Sequence, residues 1–95
     1  MIGVLTHHWF KAEKLEEGRR LLIQSGQAQS LMPGFGTRQV LYSLGDPTKI
    51  TTLVTWESPE IYDAWRASPE RAEAQKGEPE LWSRPPEWER FEVVD

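Results

Sequence analysis

Residues 49–70, KITTLVTWESPEIYDAWRASPE, decide the fold. The first eight are rich in β-branched and aromatic residues, with Ile50, Val54 and Trp56 on one parity and Leu53 opposite, which predicts a strand over 49–57. Ser58-Pro59-Glu60 then supplies a capping hydroxyl, a proline suited to the first helical position and a carboxylate for the positive helix end. The same tripeptide returns at Ser68-Pro69-Glu70, so a second short helix starts there. Gly77 ends it. The segment is therefore a strand followed by two short helices with a break between them.

Working outward, residues 35–44 predict another strand, with Val40, Tyr42 and Leu44 on one side and Phe35 and Leu41 on the other. Gly45-Asp46-Pro47 is a turn, so the two strands form an antiparallel hairpin. Residues 2–10 alternate as a strand: Ile2, Val4, Thr6, His8 and Phe10 share one parity, and Leu5, His7 and Trp9 the other. Residues 13–29 read as a helix, with Leu15, Leu22 and Gln29 near one face and Gly18 inside it. The three prolines in 78–87 predict an irregular loop, and Phe91, Val93 and Val94 a last strand at roughly 88–94.

The order β-α-β-β-α-β over residues 1–95 is one α+β domain of ferredoxin-like plan: a four-stranded antiparallel sheet with helices on one face. At 95 residues, folding buries roughly 65% of the chain's surface, so a single thin core is available. The strands carry large apolar groups on both parities, and two helices cover only one face. A second molecule is expected on the other, giving a homodimer with sheets face to face.

Composition narrows the partners. Fifteen acidic against eleven basic residues give a net charge of -4, which excludes the positive footprint of nucleic-acid binding and disfavours anionic membranes. No cysteine is present, so there are neither disulfides nor thiolate sites. No apolar run is long enough to span a bilayer, and residues 1–5 lack the basic start and long apolar stretch of a signal peptide; a cytoplasmic location is expected. Five tryptophans, Trp9, Trp56, Trp65, Trp82 and Trp88, are too many for a domain this small to bury completely. Some are expected to line a pocket or an interface.

The stretch Thr55 to Glu70 resembles the third strand and following helix of the antibiotic biosynthesis monooxygenase family. Met32-Pro33-Gly34-Phe35 is similar to that family's entry to its second strand, and Phe91-Glu92-Val93-Val94 to its closing strand. The resemblance implies a dimeric α/β barrel with one pocket per subunit between sheet and helices. It also implies either a cofactor-independent oxygenase for a small aromatic or quinol-like compound, or a non-catalytic binding or structural dimer of the same fold. The family's haem-degrading branch carries a histidine about ten residues beyond the position matched by Trp65. Gln75 stands there, which disfavours haem ligation, and no cofactor is expected.

The candidate catalytic residues are His7 and His8, the only histidines. Adjacent strand residues face opposite ways, so only one enters a given pocket. By analogy with family members, His8 is placed in the cleft. An imidazole is suited to remove a proton from a phenol or quinol, with activity rising through pH 6–7 at an unshifted pKa. Trp65 is the leading pocket-lining candidate, followed by Trp56, Trp9 and Phe35, with Gln75 at the same cleft. No metal site is expected: His7 and His8 are adjacent, and no Asp or Glu has ligand spacing to them.

Overall fold

The computed structural model describes residues 1–95. In chain order it has β1 (Ile2–Phe10), a 3-10 turn (Ala12–Lys14), α1 (Leu15–Ser30), β2 (Phe35–Tyr42) and β3 (Lys49–Trp56), then α2 (Pro59–Arg66), α3 (Pro69–Ala74), a second 3-10 turn (Glu78–Leu81) and β4 (Trp82–Glu92). The sheet order is β2-β3-β1-β4, with every pair antiparallel. This is the ferredoxin-like α+β arrangement. Both Ser-Pro-Glu starts cap as their chemistry dictates: Ser58 Oγ accepts from the Ile61 N–H and Ser68 Oγ from the Arg71 N–H.

Two regions depart from the sequence expectation. The segment expected as a loop over 78–87 is a 3-10 turn followed by the first half of an eleven-residue strand. Prolines are tolerated because β4 is an edge strand. Pro85 and Pro86 fall in a bulge, where the register skips from His7↔Glu87 to Trp9↔Arg84 and two residues oppose His8 alone. Strand β4 therefore ends at Glu92, short of Val93 and Val94. The second departure is in β2. Its register skips between Phe35↔Trp56 and Arg38↔Val54, so Gly36 and Thr37 invert the alternation. Phe35 joins Arg38, Val40 and Tyr42 on the helix side, opposite to Leu41. Leu44 lies beyond the strand and is fully exposed.

The helix-facing parity of the central strands forms two cores. One gathers Ile2, Val4, Val54 and Trp56 with Tyr62 and Trp65 of α2. The other gathers Phe10, Ile50, Leu22 of α1 and Leu81. Between them the same strands carry Thr6, paired with Thr52, and His8. The opposite sheet face has no covering layer within the chain, yet carries Leu5 and Leu53 together with the exposed Leu41 and Phe91.

Helix α1 lies close on Phe10. A Cβ at Gly18 would sit 2.6–2.8 Å from three atoms of that ring, which is itself only 1% exposed. Gly18→Ala gains about 1 kcal/mol of helix propensity. It also forces a buried ring and a helix apart, an overpacking cost of about 1–3 kcal/mol. The ring has nowhere to go, so a net loss of stability in urea titration is expected, despite alanine being the better helix former.

Candidate functional site

The gap between the two cores is a cavity of about 260 Å³. Its floor is the polar middle of the sheet, Thr6, His8 and Thr52. Its back wall is where the inner face of α1 turns from leucine to Ser25 and Gln29, both buried. Indoles close one end. Trp56 is wholly buried and Trp65 nearly so; their rings stack with centroids 6.1 Å apart. Trp88 on β4 stands nearer the surface beside Tyr62, with the Arg66 guanidinium 4.4 Å above its ring. The Trp56 indole N–H is buried without a partner.

His8 is 8% exposed and lies parallel to Phe10. Its Nδ1 is 3.2 Å from the Ile50 carbonyl oxygen, which requires Nδ1 to carry the proton and donate it. Nε2 is then the basic nitrogen, with no protein partner. Burial favours the neutral imidazole and lowers its pKa to about 4. The bond to Ile50 opposes the shift, while the nearby positive charge of Arg38 and His7 adds to it. This corrects the expected titration at pH 6–7.

Several charged groups in the cavity lay outside the sequence reading. Arg38 reaches from β2 to α1, donating to Gln29 Oε1 and, at 2.6 Å, to the Leu22 carbonyl. Glu78, 3% exposed, sits at the start of the second 3-10 turn. Burial raises its carboxyl pKa, opposed by the Trp82 indole and by Arg71 and Arg38. The indole N–H lies beside the carboxyl but out of hydrogen-bond alignment, so Glu78 Oε1 and Trp82 Nε1 are both buried and unpartnered.

Of the sequence candidates, His8, Trp56, Trp65 and Gln75 line the cavity. His7, Trp9 and Phe35 do not. His7 points to the open sheet face, where Nδ1 meets Thr51 Oγ1 at 2.7 Å. Trp9 shares that parity and lies under Arg84 and Lys49. Phe35 packs edge-on against Trp56 from the β2 side and belongs to the core. The legible signal for the site was polarity at inward positions: Thr6, His8 and Thr52 on strands, Ser25 and Gln29 one turn apart on α1. Arg38 shares the parity of Val40 and Tyr42, so its side was legible and only its reach to α1 was not, whereas Glu78 was hidden by a segment read as loop.

The cavity does not suit haem. Gln75 Nε2 donates to Ser25 Oγ at 3.3 Å, tying α3 to α1 where that branch of the family has its iron ligand. No three His, Asp or Glu side chains converge elsewhere as a metal site.

A four-stranded antiparallel sheet with helices on one face and a small indole-walled cavity between the layers defines a ferredoxin-like α+β domain. The chain belongs to the antibiotic biosynthesis monooxygenase family, whose model matches residues 1–77. Its fold is shared by a protein of Nitrosomonas europaea assigned to those monooxygenases, at TM-score 0.90, 14% identity and full coverage of both chains. It is shared by Rv0793 from Mycobacterium tuberculosis at 0.89 and 17% identity, over 99% of this chain and 95% of that one. SnoaB, a cofactor-independent oxygenase from Streptomyces nogalater, superposes at 0.88 with 12% identity, over 99% and 93%. These identities speak for fold alone. No curated protein gives a significant match, and no helix is long and apolar enough to cross a membrane.

Proposed function

We propose that the protein is a cofactor-independent monooxygenase for a small hydroxylated aromatic compound. The observation that carries this reading is the free Nε2 of a neutral, tautomer-fixed His8 in a cavity walled by Trp56, Trp65 and Trp88. The indoles present apolar faces to a planar ring. A group of pKa about 4 does not ionise a resting phenol. It accepts the hydroxyl proton as the ring loses an electron to dioxygen, when that hydroxyl becomes far more acidic. Oxygen then adds to a ring carbon as a peroxide. Its O–O bond breaks as the outer oxygen leaves as water with that carbon's hydrogen and the hydroxyl proton, and the ring, oxidised by four electrons to the quinone level, supplies every electron that converts dioxygen to one product oxygen and one water. Kinship with a family that contains SnoaB supports the reading.

Oxygen uptake by anaerobically prepared quinols, with chelator present, tests it. Beyond the uncatalysed rate, uptake should be level from pH 6 to 8, because His8 is already unprotonated there. It should fall as pH drops toward about 4, where Nε2 takes a proton and ceases to accept one. A rise through pH 6–7 contradicts the buried His8, and no uptake above background at any pH contradicts turnover.

The assembly expected is a homodimer through the open sheet face. Leu5, Leu53, Leu41 and Phe91 give that face a layer of apolar side chains with nothing of the chain over it. Light scattering should give twice the 11.0 kDa chain mass, about 22 kDa. Leu53→Asp should release monomers, since pairing would bury a carboxylate without a partner. A monomeric parent protein at micromolar concentration overturns this.

A further inference from the structure

The distribution of charge around the cavity is lopsided. Three of the chain's eleven basic residues, Arg38, Arg66 and Arg71, line it, against one of its fifteen acidic ones, Glu78. None of the three guanidiniums has a carboxylate within ion-pair distance; the ion pairs present involve Lys14, Arg19, Arg84 and Arg90. Arg38 spends its hydrogen bonds on neutral acceptors, Gln29 Oε1 and the Leu22 carbonyl. Arg71 donates weakly, at 3.4 Å, to the Arg66 carbonyl. Arg66 lies over the Trp88 ring. The histidine on the floor is neutral, so it adds nothing to offset or increase the charge.

Arg66 is exposed, but Arg38 and Arg71 are partly buried, and a partly buried guanidinium without a counter-ion is costly while its fork of donors matches a carboxylate. Glu78 attracts Arg38 and Arg71 from a distance but makes no ion pair with any of the three, and one carboxyl group cannot balance three guanidiniums. Burial raises its carboxyl pKa, so even its charged form is poorly stabilised there. A chain of net charge -4 has thus gathered unneutralised positive charge in its one indole-walled cavity.

We propose that the ligand of this cavity is an aromatic acid, a one- or two-ring compound whose carboxylate sits between Arg38 and Arg71 while its ring lies against the indoles. This rests on the aromatic-cavity reading above and adds the charge of the ligand. The site discriminates by charge at one end and by planarity at the other.

The test compares 2-naphthoate with its methyl ester, which has the same rings and no charge, by calorimetry on the unmodified protein at pH 7.5. The acid should bind at least about tenfold more tightly, the scale of one charge-assisted contact. Arg71→Gln should remove most of that preference and leave the ester unaffected. Glu78→Gln, which keeps the shape and deletes the only negative charge, should tighten the acid about threefold to tenfold. Equal affinities for acid and ester overturn the proposal and leave the aromatic cavity standing. Binding of neither compound overturns both. Should Arg71→Gln fail to fold, the acid-to-ester ratio of the parent protein and the sign of the Glu78→Gln effect still decide. A Glu78→Gln variant that weakens the acid counts against the assigned carboxylate position.

Discussion

Replacing His8 with alanine should lower oxygen uptake by about two to four orders of magnitude, the span of a positioned proton acceptor. The expectation follows from the geometry of one ring. Nδ1 is committed to the Ile50 carbonyl, so the only lone pair facing the cavity is that of Nε2. Alanine removes this lone pair and opens a space beside Phe10. Added imidazole should enter that space and restore part of the rate, which a merely structural role would not allow. Secondary structure and urea midpoint measured alongside separate loss of chemistry from loss of fold. His7→Ala is the control: its ring bonds Thr51 on the opposite sheet face and should leave the rate within a few-fold of the parent. Parent-like uptake by His8→Ala would defeat the assignment.

The second large effect is on stability. Trp65→Ala should cost about 3–5 kcal/mol in urea unfolding, the range for deleting a buried large aromatic side chain. For a domain whose total stability lies within about 5–15 kcal/mol, that is close to unfolding. Trp65 is 1% exposed, in a cluster with Ile2, Val4, Val54 and Tyr62, and its ring stacks on Trp56. Truncation therefore opens a cavity in the core as well as enlarging the pocket, and the core effect dominates. Trp65→Phe keeps an aromatic surface against Trp56 and should retain most of the stability. An alanine variant within 1 kcal/mol of the parent would show that the helix can collapse onto the sheet and fill the space.

The acquisition of a cavity by so small a domain follows from polar residues at inward positions. Thr6, His8 and Thr52 interrupt what would otherwise be a continuous apolar floor, and Ser25 and Gln29 interrupt the facing helix. The helices are held at both ends by apolar clusters and stand off in the middle. Gln75 braces the gap by bonding Ser25 across it. The apolar packing resides at the two ends of the sheet and the cavity between them.

Local chemistry was enough to specify the elements. The two Ser-Pro-Glu caps, the alternation in β1 and β3 and the Gly45-Asp46-Pro47 turn each act over a few residues, and together they imply the β-α-β-β-α-β order. The alternation of β1 also separated His8 from His7, because neighbouring strand side chains must face opposite ways. Tertiary structure alone decided three things. The bulge at Gly36-Thr37 turned Phe35 to the side of Arg38, Val40 and Tyr42, since one skipped pairing inverts every side chain beyond it. The edge position of β4 let a proline-bearing segment extend as strand from Trp82, which brought Pro86 and Trp88 to the cavity. Burial moved His8 to a pKa of about 4 and raised that of Glu78, because desolvation depends on what the rest of the chain packs around a group and not on its neighbours in sequence.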